Sequence, residues 1–582
     1  MHAKQSLNLL DDKIFLVLIG FCFLLPNIHV AYLSNQAVIP REFFIYAFST
    51  FFVFLLTRAA TVKYNTFYIL AFAFSALQFF SLLWTSDLAS GIEESSNYYF
   101  FLIGSFALFQ IDKPHKKHIL LIALIAAISI SAFIGILQNF FVDFPLIFQA
   151  AAPSSTYVNK NMAASACILF LPLSLFMLLM AEKRTHKLLL TIPNTLLLSF
   201  VLVAHTRGVW LAGILILLAA IYILHLNKTR HWMRLSVLDK KFYLAGIIAT
   251  STVIFLLPGV RNTDTALAPK YDPTQSIKVR LGMYQDALPL IAENPIFGIG
   301  SGGFRKDFRS IPGGPYAAQH ADGDMYITRL HNDHLQYFVE QGFVGFTIWA
   351  LMLYLLYRER MSYLFSEKTD PKHKPIVFAI LLGLTGMLIH AFFSFPIRIA
   401  STGGLFWICA GLALSYTQEN SEERTVDLKD RQRQLVLLFH LALTVFAVFL
   451  VTERAIGSYH LQQAEDVIFS NGRCNLARQH LDKSISAAGY NVRLAHIESI
   501  FYVVCKKRSP NEIAQAMNNI LKYDPNQSRA LLVMGKLSYA LGRYDDATIF
   551  FSKALLVNPS SKEAINGLNK SRYKLKNTKP YQ

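Results

Sequence analysis

Long apolar runs separated by short polar blocks set the pattern of this chain. The runs fall at about 13–33, 42–57, 66–84, 97–111, 118–139, 161–181, 188–205, 208–226, 242–258, 334–357, 375–397, 402–416 and 434–452. A hydrocarbon layer about 30 Å thick asks for about 20 apolar residues per helix. The pattern therefore predicts an all-α, polytopic membrane protein with about 12–13 transmembrane helices, of which the second, fourth and twelfth are short. The first run lacks a small-residue cleavage site and is followed by others, so it reads as a span and not as a signal peptide. Two stretches break the rhythm: the polar loop 259–333 and everything after about 453. The expected division is a membrane domain over 1–452 and a soluble, helical-repeat domain over 455–575.

The charge distribution tests that count. Loops after even-numbered runs hold 22 Lys and Arg, whereas the short loops on the other side hold only Arg41, Lys160, Arg207 and Arg398. The positive-inside bias puts the N-terminus in the cytoplasm. The loop 259–333 and the C-terminal tail then fall on the outer face. Within the tail, Gly535, Gly542, Tyr544, Ala547, Phe551, Ala554 and Pro559 stand at tetratricopeptide-repeat spacing, with Asp524-Pro525 closing a more degenerate unit before them. One repeat cannot bury its own face, so about three stacked helix pairs are expected. Such a stack serves either as a packed cap or as a surface for a protein partner.

Composition agrees with a membrane chain: 53% of the 582 residues are hydrophobic and 16% charged, well below the share usual in soluble domains. The net charge of +18 lies in short blocks between apolar runs, which fits topology and not nucleic-acid binding. The five cysteines show no metal-ligand spacing, and no metal or cofactor is expected. Cys22, Cys167 and Cys409 lie in apolar runs, while Cys474 and Cys505 share the tail, where a disulfide stays open.

Candidate chemistry gathers on the outer face. Tyr284 to Phe304 reads as an amphipathic helix, a proline and a glycine-rich turn, without the Gly-Lys-Ser/Thr of a phosphate loop. The polar cluster His331-Asn332-Asp333-His334 opens an apolar helix, and a neutral imidazole there can take a proton from a hydroxyl. Asn332 and Asp333 stand at cap positions with groups to spare for orienting the histidine. Glu340 lies within the apolar depth, where a charge is paired or functional. Arg207 sits at an outer junction that the positive-inside bias disfavours, and Arg280 opens the amphipathic segment. Guanidinium groups bind phosphate oxygens bidentately. Taken singly, each of these residues also fits an ordinary interfacial side chain.

Together the motifs form a recognisable set. His331-Asn-Asp-x-Leu-Gln336 followed by Glu340-x-Gly-x-x-Gly345 resembles the signature of the O-antigen ligase and polymerase superfamily. Thr156-Tyr-Val-Asn-Lys-Asn161-Met-Ala163, Thr206-Arg-Gly-Val-Trp210 and Asn294-Pro-Ile-Phe-Gly-Ile-Gly300 to Phe304 are similar to that family as well, and Gly135 to Gln138 and His390 to Pro396 match it more weakly. The resemblance covers about 60–416. It implies an inverting, metal-independent glycosyltransferase in the bacterial inner membrane, with a periplasmic active site. The donor would be an undecaprenyl-pyrophosphate-linked glycan. By the same resemblance His331 is the essential histidine, Arg207 and Arg280 bind the pyrophosphate, and Asn332, Asp333, Glu340, Asn161 and His334 support them. His334 stands where the family often has an aromatic residue. Ser394-Phe395-Pro396 lacks the acidic residue common in protein-glycosylating members. The acceptor is lipid A-core in a ligase, a growing glycan in a polymerase, or a protein in an O-oligosaccharyltransferase; the ligase reading leads. Two rivals from other classes are a transporter or flippase, which should carry its polar residues near mid-membrane, and a membrane scaffold working through its tail.

Overall fold

The computed structural model describes residues 12–30, 33, 38–58, 61–141, 153–157, 159–225, 237–257, 275–308, 311, 327–416, 424–470, 473–489, 492–505 and 509–578. The protein is all-α apart from one two-stranded ribbon, β1 (Thr61–Tyr64) and β2 (Arg424–Asp427). Every apolar run is a helix. They are α1 (Asp12–Leu24), α2 (Val38–Arg58), α3 (Thr66–Phe80), α4 (Leu88–Phe109), α5 (Pro114–Phe140), α6 (Lys160–Met180), α7 (Arg184–Val203), α8 (Arg207–His225) and α9 (Val237–Leu256). After α10 (Gln275–Glu293) and the short α11 (Phe304–Asp307) come α12 (Asp333–Phe365), α13 (Lys374–His390), α14 (Ala400–Leu414) and α15 (Asp430–Ser470).

Among the described residues, eight helices are long and apolar enough to cross a membrane unaided, and Ile14–Leu24, Lys374–His390 and Ala400–Leu414 are shorter apolar helices. The two short helices α13 and α14 are buried along almost their whole length, so neighbouring helices and not lipid surround them. By contrast, Leu211, Ile214, Leu215, Leu217, Leu218 and Ile221 of α8 point outward, as do Leu435, Leu438, Phe439, Val445 and Phe449 of α15. Such a surface needs an apolar surrounding.

Two boundaries differ from the sequence reading. Helix α4 starts at Leu88, well before 97, because the Asp87 side chain caps it by accepting the Ser90 N–H at 3.1 Å. Its first turns carry Glu93 and Glu94 inward. The last apolar run does not stop at 452 but continues as one helix to Ser470.

The loops separate onto two faces, as alternating spans require. On one, β1 pairs with β2, Asp12 lies 3.4 Å from Lys116, and Lys117 Nζ donates to Ser415 O at 2.6 Å. On the other, Arg41 Nε donates to Leu25 O at 3.0 Å, Ser301 N–H to Ser81 Oγ at 2.9 Å and Ile397 N–H to Asp333 Oδ2 at 2.8 Å. The tail continues with α16 (Cys474–Ala488), α17 (Val492–Val504), α18 (Pro510–Tyr523), α19 (Ser528–Ala540), α20 (Tyr544–Val557) and α21 (Lys562–Thr578). These helices pack on their sequence neighbours, and Phe551 fills the gap between Gly535 and Gly567, where a Cβ would collide with its ring. Cys474 and Cys505 form a disulfide. Disulfides persist in oxidising compartments.

Candidate active site

A glycine joint fixes the start of the site. Gly342 breaks α12 with φ 61° and ψ −164°, a conformation open in practice only to glycine. The freed backbone pairs with the glycine-rich turn: Ile299 N–H reaches Val339 O at 3.1 Å, Gly300 N–H reaches Glu340 O at 2.9 Å, and Phe343 N–H reaches Pro295 O at 2.9 Å. The two glycine motifs of the sequence are thus halves of one structural joint, which holds the loop after α10 against α12.

Each residue leading to His331 is pinned separately. Arg329 pairs with Glu94, and Leu330 N–H donates to Gln336 Oε1 at 3.0 Å. The Tyr284 hydroxyl donates to the carbonyls of His331, at 3.2 Å, and Phe392, at 3.1 Å. Beneath them Met283, Ala287, Leu290, Phe304, Leu330 and Val339 form a small apolar core. Held this way, His331 adopts φ 57°, a left-handed conformation that non-glycine residues rarely take. Its ring meets Phe395 edge-on at 4.8 Å, and its Nδ1 is buried with no hydrogen-bond partner among the described residues. Burial, and after it the Arg280 charge, hold the imidazole down at about 4, so it is neutral at pH 7.

Arg280 acts electrostatically on a second ring too, that of His390 at the end of α13. His390 Nδ1 lies 2.7 Å from Ser165 Oγ on α6, and Gly208 packs against its other edge. One turn before Ser165, Asn161 Oδ1 accepts the Thr206 hydroxyl at 3.2 Å. Arg207, the first residue of α8, stands between Thr206 and Gly208. Thus α6, α8, α10, α13 and the start of α12 converge, bringing Arg280 to His331 and His390, while Arg207 joins the corner through its chain neighbours.

The other expected residues serve the scaffold. Asn332 caps α12, its side chain accepting Leu335 N–H at 3.0 Å. Asp333 donates its backbone N–H to Ala391 O at 2.9 Å and accepts from Ile397 N–H, fastening the turn after α13 to the start of α12. These two therefore set the backbone from which His331 projects. His334 accepts the Trp349 Nε1–H at 3.3 Å and donates to Leu388 O at 3.1 Å, so both its ring nitrogens are committed to packing. Gln138 clamps the turn before α6 by bonding both backbone groups of Ser155.

Glu340 is paired. It accepts from Gln336 Nε2 at 3.0 Å and from Arg398, which also grips Glu94. Arg305 lies 3.2 Å from Glu93 and 3.6 Å from Glu94, and Arg454 lies 3.0 Å from Glu42 and 3.1 Å from Glu93. Four carboxylates meet four guanidinium groups from α2, α4, α12, α15 and three loops. The sequence reading singled out only Glu340 in this network. Adjacent charges at the starts of apolar runs, Arg41-Glu42 and Glu93-Glu94, were the signal that could have found more of it. Asp322 and Asp324 lie outside the described residues.

Fold and site together describe a multi-span membrane protein with a cationic, histidine-bearing cleft at one face. Residues 193–350, less than a third of the chain, match the family model for O-antigen ligase. That stretch contains Arg207, Arg280, His331 and Glu340, but neither Asn161 nor His390. No curated protein matches the chain.

Proposed function

We propose that the chain is a member of the O-antigen ligase superfamily. It moves a glycan from undecaprenyl pyrophosphate to an acceptor hydroxyl, with lipid A-core as the leading acceptor. The observation that carries this reading is the convergence of Arg280 with His331 at the face where the positive-inside bias puts the periplasm. Neutral His331 accepts the proton of the attacking hydroxyl. The new bond from that oxygen to the anomeric carbon forms as the bond to pyrophosphate breaks, its electron pair leaving with the phosphate. Attack opposite the leaving group inverts the anomeric centre. Arg207 and Arg280 meet the charge that grows on the pyrophosphate, so the reading asks for no metal ion. An apolar groove of about 370 Å³, lined by Phe346, Trp349, Leu353, Leu388 and Phe392, opens beside the cluster and suits an isoprenoid chain. The helical tail, on the same face, is then a periplasmic repeat domain for a partner protein.

Glycan transfer in inner-membrane vesicles tests this. Replacing His331 by Ala should lower transfer by about 10²–10⁴-fold, the usual weight of a general base. Undiminished transfer by a well-expressed His331→Ala protein would end the assignment.

A further inference from the structure

His390 is buried at 2% exposure, and the transfer step just described makes no use of it. Its surroundings fix its chemistry. The Ser165 hydroxyl donates its one hydrogen to Asn161 O at 2.7 Å, within α6, so toward His390 it presents a lone pair. The His390 Nδ1 atom 2.7 Å away must then carry the hydrogen. In a neutral ring that leaves Nε2 bare. A second positive charge beside Arg280 is unfavourable, which keeps the ring neutral.

Nε2 faces the N-terminus of α8. A Cβ on residue 208 would stand 2.9 Å from the ring's Cδ2 and 3.4 Å from Nε2, so only glycine leaves this edge clear. Arg280 offers donors alone. His390 therefore adds an oriented lone pair to a corner that is otherwise cationic, with Arg207 adjoining it and His331 within electrostatic reach.

We propose that His390 Nε2 accepts a hydrogen bond from a hydroxyl of the incoming acceptor sugar and so decides which neighbouring hydroxyl faces His331. The inference rests on the transferase reading above. It makes His390 a substrate-contacting residue that sets acceptor geometry without carrying the reaction's proton.

Two amides separate this role from a purely structural one. The Asn side chain places its amide near Nδ1, keeping the tie to Ser165 and losing Nε2. Gln places its amide oxygen near Nε2 and gives up the tie. With purified undecaprenyl-pyrophosphate-linked glycan as donor and lipid A-core as acceptor, His390→Asn should raise the acceptor KM about tenfold, as loss of one hydrogen bond implies. His390→Gln should stay within about threefold, and kcat should change little in either. Ser165→Ala, which frees the tautomer while leaving His390 in place, should raise KM by a smaller factor. The inference is overturned by the reverse order, with Asn tolerated and Gln not. Equal losses confined to kcat, or an unchanged KM in both His390→Asn and Ser165→Ala, overturn it as well. Unaltered protein and His331→Ala run alongside: absence of transfer by the unaltered protein refutes the transferase reading itself, whereas transfer that depends on His331 leaves that reading standing however His390 behaves.

Discussion

Replacing Arg398 by Met probes the charge network where it is most exposed to damage. Arg398 bridges Glu94 and Glu340 and lies over the Tyr337 ring, 4.7 Å from its centroid. Glu94 keeps Arg329 and Arg305 when Arg398 is lost, but Glu340 keeps only the Gln336 amide. The substitution thus strands one fully buried carboxylate. Breaking a buried pair from one side costs about 3–5 kcal/mol, whereas exchanging both partners for apolar residues of similar volume is often close to neutral. Arg398→Met should therefore lose about 3–5 kcal/mol, and the double variant Arg398→Met/Glu340→Met should recover at least about half of it. Unfolding by SDS in mixed micelles, followed by tryptophan fluorescence, gives the four corners of the double-mutant cycle. A loss below about 1 kcal/mol in Arg398→Met, or losses that add in the double variant, would refute the view that Glu340 depends on this guanidinium.

Other outcomes follow from the same geometry. Arg280 is a secondary cause of the low His331 pKa, so Arg280→Gln should move the acid limb of kcat/KM upward from about 4 while transfer falls; a limb that stays put would separate the two residues. Bound pyrophosphate offsets the same charge, so the acid limb of kcat should lie above that of kcat/KM in the unaltered protein. Gly342→Ala forces a Cβ against the Ile296 carbonyl at a conformation worth about 1–3 kcal/mol of strain, and thermal unfolding in detergent should show at least that loss. Reducing Cys474–Cys505, which closes a separation of 31 residues, should cost the tail about 3–4 kcal/mol, read as a lower unfolding temperature together with labelling of both thiols.

Helix count and sidedness were legible because each span carries its own signal: twenty apolar residues, then basic blocks on alternate sides. The start of the site was legible for a similar reason, since His331, Asn332 and Asp333 are consecutive and open a helix. What could not be read were contacts between residues far apart in the chain. Asn332 announces itself as a cap, but nothing near Asp333 says that its carboxylate is spent on Ile397, or that Gln336 holds Leu330. Glu93 and Glu94 look like surface residues until α4 is seen to begin at Leu88. His390 drew notice only as part of a loose motif, because its meaning comes from Ser165 on another helix. Pairing across the fold is set by packing, and local pattern does not encode it.

The unbroken α15 has a mechanical consequence. At 1.5 Å per residue its 41 residues make a shaft about 60 Å long, about twice the thickness of a hydrocarbon core. Arg454 clamps that shaft to Glu42 and Glu93 partway along. With no hinge between anchor and tail, whatever the tail carries is presented at a set height and compass bearing. Adding one residue to the shaft beyond Arg454 would swing the cargo by about 100°, whereas adding seven would lift it about 10 Å with its bearing nearly restored.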